Sequence, residues 1–137
     1  SNYLDIDNDP LYPFGYGLSY TTFKYGKPSL SSNTMTNNET INVSVDITNT
    51  GNYDADEIAQ MYIRDLAASV SRPVKELKGF ERISIKKGET KTVTFTITPE
   101  DLKFYNQELE YKNEPGEFEV MVGPNSKDVQ TLTFTLK

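Results

Sequence analysis

Neither cysteine nor histidine occurs in this sequence, and there is no tryptophan. Without cysteine there are no disulfides and no thiol nucleophile, although the lack says little about compartment. Without histidine the Ser-His-Asp and Cys-His nucleophile systems are excluded, and zinc is left with all-carboxylate ligation. A Gly-rich phosphate loop with its lysine is also missing, because Gly15 and Gly17 sit among aromatics rather than opening a helix. Neither a metal nor a cofactor is therefore expected. No apolar run is long enough to cross a membrane, and no signal-peptide pattern is present. Lys and Arg are scattered, and the formal net charge is −6. Such a surface repels phosphate backbones, so neither nucleic acid nor membrane is an expected partner.

What is present is a set of short alternating segments. Ile41, Val43, Val45 and Ile47 alternate with Asn42, Ser44, Asp46 and Thr48, the period of a strand with one buried face. Ala59, Met61 and Ile63 repeat the pattern, as do Val93, Phe95 and Ile97. Phe118, Val120 and Val122 follow, and then Leu132, Phe134 and Leu136. Turn signals separate them at Asn49-Thr50-Gly51-Asn52 and Lys87-Gly88. The predicted fold is all-β, an antiparallel sandwich, with no long helical pattern in competition. At 137 residues the chain holds one such domain and too little for a catalytic barrel besides. It opens on Ser1 without a methionine, which suggests a piece of a longer protein.

Two places break the alternation. Phe80 has the wrong parity to share a face with Ile83 and Ile85, and Gly79 stands beside it. A β-bulge there, re-aiming one side chain, is the simplest repair. Thr98-Pro99-Glu100-Asp101-Leu102 combines an N-cap residue, proline at the first helical position and acids in the first turn. It predicts one helical turn between strands.

The N-terminal stretch reads differently. Ser1 to Asp9 is polar and acidic, a linker by composition; Asp5, Asp7 and Asp9 have calcium-loop spacing. Pro10 and Tyr16 stand where such a loop needs glycine and glutamate, which favours the linker. From Pro10 to Gly17 large rings hang on a Gly/Pro-rich backbone that cannot be a regular helix. Leu18 to Phe23 then has the profile of an opening strand. The expected division is a linker and docking segment over 1–17 and the sandwich over 18–137. Tyr12, Phe14 and Tyr16 are the candidate interdomain docking residues, since rings on an irregular segment at a domain edge suit a contact surface.

Carboxylates are plentiful, and glycoside hydrolysis needs only two across a sugar pocket. Here they fall on outward strand positions (Asp46, Glu117, Glu119) or in turns (Asp54, Asp56, Glu89), which reads as a solvated face. Tyr53, Tyr62, Tyr105 and Tyr111 are candidates for a sugar-stacking platform, against ordinary packing with ring buried and hydroxyl wet. A weak carbohydrate contact stays open. Asn38-Glu39-Thr40 and Asn42-Val43-Ser44 match the N-glycosylation pattern, but Asn42 lies within a strand and the pattern is common.

Four segments carry a family resemblance. They are Pro10 to Phe23, Gln60-Met61-Tyr62-Ile63-Arg64-Asp65, Arg72-Pro73-Val74-Lys75-Glu76-Leu77-Lys78-Gly79-Phe80-Glu81-Arg82 and Glu114-Pro115-Gly116-Glu117-Phe118. In this order they resemble the C-terminal fibronectin type III-like domain of glycoside hydrolase family 3 enzymes, the β-glucosidases and their relatives. The resemblance implies an immunoglobulin-like β-sandwich and an upstream barrel and α/β domain that hold the catalytic acids. Neither catalytic motif exists in these residues, so no catalytic residue is carried over. It further implies a non-catalytic accessory role bracing the upstream catalytic domains of a retaining β-glucosidase, in a periplasmic or secreted bacterial setting. A loop of such a domain can approach the active-site mouth, and Ser71, Arg72 and Pro73 tip the longest candidate. The alternative is a stand-alone carbohydrate-binding or adhesion module, which the lack of tryptophan weighs against.

Overall fold

The computed structural model describes residues 21–67, 69–70 and 74–137. Two sheets face each other across one apolar core. In the first, β4 (Ile41–Asn49) is central. β7 (Thr90–Ile97) pairs along one side of it, and β1 (Phe23–Tyr25) and β2 (Ser29–Leu30) pair in succession along the other. The second sheet runs β3 (Thr34–Met35), β11 (Gln130–Leu136), β10 (Gly116–Gly123), β5 (Ala55–Asp65), β6 (Glu76–Ile85). Its pairings are antiparallel except that of β3 with β11, which is parallel. A small hairpin of β8 (Phe104–Tyr105) and β9 (Tyr111–Lys112) stands apart from both sheets.

The alternating positions read from the sequence fill the interior. Ile41, Val43, Val45, Ile47, Ala59, Met61, Ile63, Val93, Phe95, Ile97, Phe118, Val120, Val122, Phe134 and Leu136 are all buried in one cluster. Phe118 stacks on Phe134 with ring centroids 5.5 Å apart, and Phe104 tilts against Phe118 at 6.3 Å. β1 starts at Phe23, the last residue of the run of β-formers. Thr21 and Thr22 precede β1, Phe23 packs partly buried against the core, and residues 1–20 lie outside the described residues.

The predicted helical turn is a 3₁₀ turn over Pro99–Leu102. Asp101 closes it by accepting the Thr98 backbone N–H at 2.9 Å, while the Asp101 N–H donates to the Thr98 carbonyl at 3.0 Å. The Lys87-Gly88 turn forms with Gly88 at φ +77°, a left-handed backbone that glycine adopts without strain.

The predicted bulge is also present, but two residues before Phe80. Met61 pairs with Gly79 and Tyr62 with Leu77, so Lys78 is the extra residue. Phe80 stays on the outer face opposite Gln60 and is 65 % exposed. The re-aimed side chains are those of Leu77 and Lys78, because the inserted residue reverses the alternation only on the N-terminal side of the bulge.

Asn49, at the end of β4, ties the sheets together. It is fully buried. Its Nδ2 donates to the carbonyls of Tyr53 (2.7 Å) and Ile85 (2.9 Å), and its Oδ1 accepts from Gly51 N–H (3.0 Å) and Thr21 Oγ1 (2.5 Å). Its backbone N–H donates to the Glu89 carbonyl and its carbonyl accepts from Gly88 N–H, both at 2.9 Å. One residue thus joins the approach to β1, the β4–β5 connection, the end of β6 and the β6–β7 turn. Gly51 is part of the same device: a Cβ there would lie 2.0 Å from Thr21 Oγ1 and 2.7 Å from its Cα.

Replacing Asn49 by alanine would strand the buried Ile85 carbonyl and the partly buried Tyr53 carbonyl and Gly51 N–H at this junction. We expect Asn49→Ala to lose about 2–4 kcal/mol in urea denaturation. Asn49→Asp should also destabilise, since it keeps the acceptor but loses both donors. A change of under about 0.5 kcal/mol, the level of an ordinary surface substitution, would refute the hub role.

Candidate functional site

The carboxylates come first, since a pair of them across a sugar pocket suffices for glycoside hydrolysis. Five of the six assigned to solvated positions hold structural partners, and Glu117 stands exposed on β10. Asp46 accepts from Thr92 Oγ1 at 2.6 Å and Asp54 from the Lys87 N–H at 2.8 Å. Glu89 accepts from the Lys86 N–H at 2.8 Å, and Glu119 lies 3.5 Å from Arg64. Asp56, placed in β5 rather than in a turn, accepts from Ser84 Oγ (2.6 Å) and Arg82 Nε (2.8 Å). Those hydrogen bonds, Ser84's first, hold its carboxyl below the usual range.

Two buried acids were not singled out by the sequence reading. Glu57 and Asp65 occupy the odd positions of β5, in line with Ala59, Met61 and Ile63. Extending that parity to both ends of the strand would have found them. Glu57 accepts a 2.7 Å hydrogen bond from Tyr25 Oη, joining the two sheets. Asp65 is 2 % exposed, and Oδ1 accepts the Ala67 N–H at 2.8 Å. Burial raises its pKa, against the lowering effect of that bond, and the charge of Glu114 adds to the rise.

The tyrosines divide. Tyr62 lies on the outer face of β5, its hydroxyl donating to Gln60 Oε1 and its ring 5.9 Å from Lys75 Nζ. Tyr53 is exposed in the β4–β5 connection. Tyr105 and Tyr111 form a cross-strand pair in the small hairpin, centroids 4.9 Å apart and planes inclined by 42°. That hairpin is fixed from inside by Asn106. Its Oδ1 accepts the N–H groups of Glu108 and Glu110 at 2.9 and 3.0 Å, and its Nδ2 donates to Glu110 Oε1 at 3.1 Å. The four rings therefore sit in three places and do not make one platform. Asn42, in the middle of β4, accepts from Thr96 Oγ1 at 3.0 Å.

Tyr12, Phe14 and Tyr16 lie outside the described residues, as do Ser71, Arg72 and Pro73 and the acidic stretch with Asp5, Asp7 and Asp9. The described part of the β5–β6 loop is anchored at its start. Val70 forms a β-bridge with Asn106, and Gln107 N–H donates to the Ser69 carbonyl at 2.8 Å. Among the described residues, the large aliphatic and phenyl side chains left open are Ile58, Leu77 and Phe80 on the β5–β6 face, Val74 and Leu66 at the adjoining strand ends, and Leu109 on the hairpin.

Residues 57–126, half of the chain, match the family profile described as "Fibronectin type III-like domain". The chain belongs to that family. The fibronectin type III-like domain is 52% identical over 136 residues to a periplasmic beta-glucosidase of Salmonella typhimurium, covering 99% of this chain and 18% of that protein. It is 52% identical over 137 residues to a beta-xylosidase of Formosa agariphila, covering 98% and 19%. Among solved structures, the beta-glucosidase of Listeria innocua in complex with glucose superposes with a TM-score of 0.77 at 46% identity, over 99% of this chain and 19% of that one. A b-glucosidase of Erythrobacter marinus gives 0.79 at 40% identity, over 100% and 18%. The domain thus spans less than one fifth of the length of these relatives.

Asp65 provides a pH test. Its folded-state pKa lies above the unfolded value, so the folded protein binds the proton more tightly. That contribution to stability is complete at low pH and is lost as pH rises from about 4 through the folded pKa. Asp65→Asn, which keeps an acceptor for Ala67, should therefore melt higher than wild type at pH 7. The gap should close as pH falls toward about 4. A gap that widens on acidification would reverse the assignment.

Proposed function

We propose that this chain is the non-catalytic, C-terminal accessory domain of a family 3 retaining β-glucosidase. In this reading the parent removes terminal non-reducing β-D-glucosyl residues, and the sandwich braces its upstream catalytic domains. The observation that carries the reading is the pairing of high identity with small coverage. About half of all positions agree with proteins more than five times as long. The carboxylate geometry supports it from the other side, because each acid described above except the exposed Glu117 is engaged in turns, strand pairs or the sandwich edge.

Glucose as the sugar follows from the named glucosidases among the relatives; a β-xylosidase at the same identity makes xylosides the first substrates to compare. A periplasmic or secreted setting follows from the Salmonella protein's name alone. The division at residue 17, docking by Tyr12, Phe14 and Tyr16, and approach of Ser71, Arg72 and Pro73 to the active-site mouth belong to this proposal. Their support is the residue chemistry, rings on a Gly/Pro-rich segment, together with a loop whose N-terminal flank is bridged to the hairpin.

Two measurements test it. The purified chain should leave aryl β-glucosides and β-xylosides intact while its parent cleaves at least one. Turnover that follows the chain through repurification would overturn the accessory reading. Replacing Tyr12, Phe14 and Tyr16 together with alanine should destabilise the parent. Three half-covered rings contribute on the order of 5–10 kcal/mol gross, much of it offset by ordering the segment. An unchanged parent melting temperature would remove these residues from the docking role.

A further inference from the structure

We propose that the outer face of β5 and β6 carrying Ile58, Leu77 and Phe80 is the surface on which the rest of the parent polypeptide packs. The proposal rests on the accessory-domain reading and adds to it the place of contact. It begins from the bulge. Counting back from Ile85 through Ile83, Glu81 and Gly79, unbroken alternation would turn Leu77 toward the core. The inserted residue reverses this. Leu77 pairs with Tyr62 on the outer face and is 49 % exposed, on the same side as Phe80 opposite Gln60 and Ile58 opposite Arg82.

Lys78 takes the sheltered place instead. Its side chain is 10 % exposed, with Nζ 3.3 Å from the Lys103 carbonyl, 3.2 Å from Glu76 and 4.5 Å from the Phe104 ring centroid. The fold thus puts a leucine in water and a lysine under cover, the reverse of what burial of apolar surface favours. The ammonium is accommodated by its carbonyl, carboxylate and ring neighbours. Nothing in the sandwich itself gains from the exposed leucine. A partner that covers Leu77 and Phe80 together does, and an exposed apolar patch of this kind marks a contact surface.

The other sheet shows the contrast. On the outer face of β4 and β7, Asn42–Thr96, Ser44–Thr94, Asp46–Thr92 and Thr48–Thr90 are successive cross-strand pairs, each hydrogen-bonded side chain to side chain. That face is finished for water. The occupant of the β5–β6 face is assigned to the parent chain because more than four fifths of each relative's length lies outside the matched segment. A tethered neighbour also needs only a modest interface, about 600–1,500 Å². A second copy would instead bring together two domains of formal charge −6.

The test uses the full-length parent. Leu77→Ser with Phe80→Ser should speed its thermal inactivation about tenfold or more, the factor carried by 1.4 kcal/mol of lost contact. Leu77→Met with Phe80→Met should restore most of the resistance, and Lys24→Ser on the other sheet should leave it unchanged. Hydroxyl-radical footprinting of the wild-type parent supplies a readout independent of any variant. Modification of Phe80 should fall several-fold below its rate in the urea-unfolded chain, whereas a ring open to solvent would fall little. Unchanged inactivation with a freely modified Phe80 overturns the proposal, as does a parent dimer that the double serine variant dissolves. Deleting residues 21–137 separates the two levels. If deletion destabilises the catalytic part while the serine pair does not, bracing stands and this face is wrong. If deletion has no effect, the accessory reading itself fails.

Discussion

Where a strand leaves a sheet inside a sandwich, its backbone groups lose their ladder partners, and a buried donor or acceptor without a partner is costly. Asn49 meets that constraint with four side-chain and two backbone hydrogen bonds. The strands it joins belong to opposite sheets: β4 in one, the end of β6 in the other. Its amide uses both donors and both acceptor positions, so no residue of other chemistry fits the same place. Gly51 yields the space for Thr21, and Thr21 brings the chain into β1. The orientation of the two apolar faces toward each other depends on this junction.

Once the sheets are held, side-chain chemistry distinguishes their outer surfaces. One face is a ladder of hydroxyl, amide and carboxylate pairs. The other mixes Arg64 and Glu119 with Tyr62, Ile58, Leu77 and Phe80. A domain that only had to remain soluble would need no such asymmetry. It suits a domain with one side toward water and one toward a neighbour, in a family whose relatives carry it as a small fraction of a long chain. The hairpin with Tyr105 and Tyr111 is different again. Asn106 rigidifies it, and Ser69 and Val70 at the start of the β5–β6 loop lean on it.

Much of the architecture was legible because alternation has only two phases. Once Ile41, Val43, Val45 and Ile47 face inward, Asn42, Ser44, Asp46 and Thr48 must face out, and both sets do. The 3₁₀ turn was legible because Thr98, Pro99 and Asp101 act locally, within one turn of backbone. Gly88 at φ +77° belongs to the same class. The bulge was legible as a fault in parity beside Phe80, but its position was not. Moving the extra residue from Phe80 to Lys78 changes no local propensity; only pairing with Met61 and Tyr62 selects between them.

By itself, then, the sequence determined the strands, their buried faces, the turns between them and the family to which the domain belongs. The strands, faces and turns rest on local backbone preference and period-two burial, which act over a few residues; the family rests on the resemblance carried by four segments in order. The tertiary structure decided what depends on distant neighbours. It made Asn49 a junction rather than one residue of a turn. It buried Glu57 against Tyr25 and Asp65 beside Glu114, and so raised the pKa of Asp65. It turned Leu77 out and Lys78 in. In each case the outcome is fixed by a partner 25 or more residues away, or by register across the sheet, and neither is encoded in any short stretch of chain.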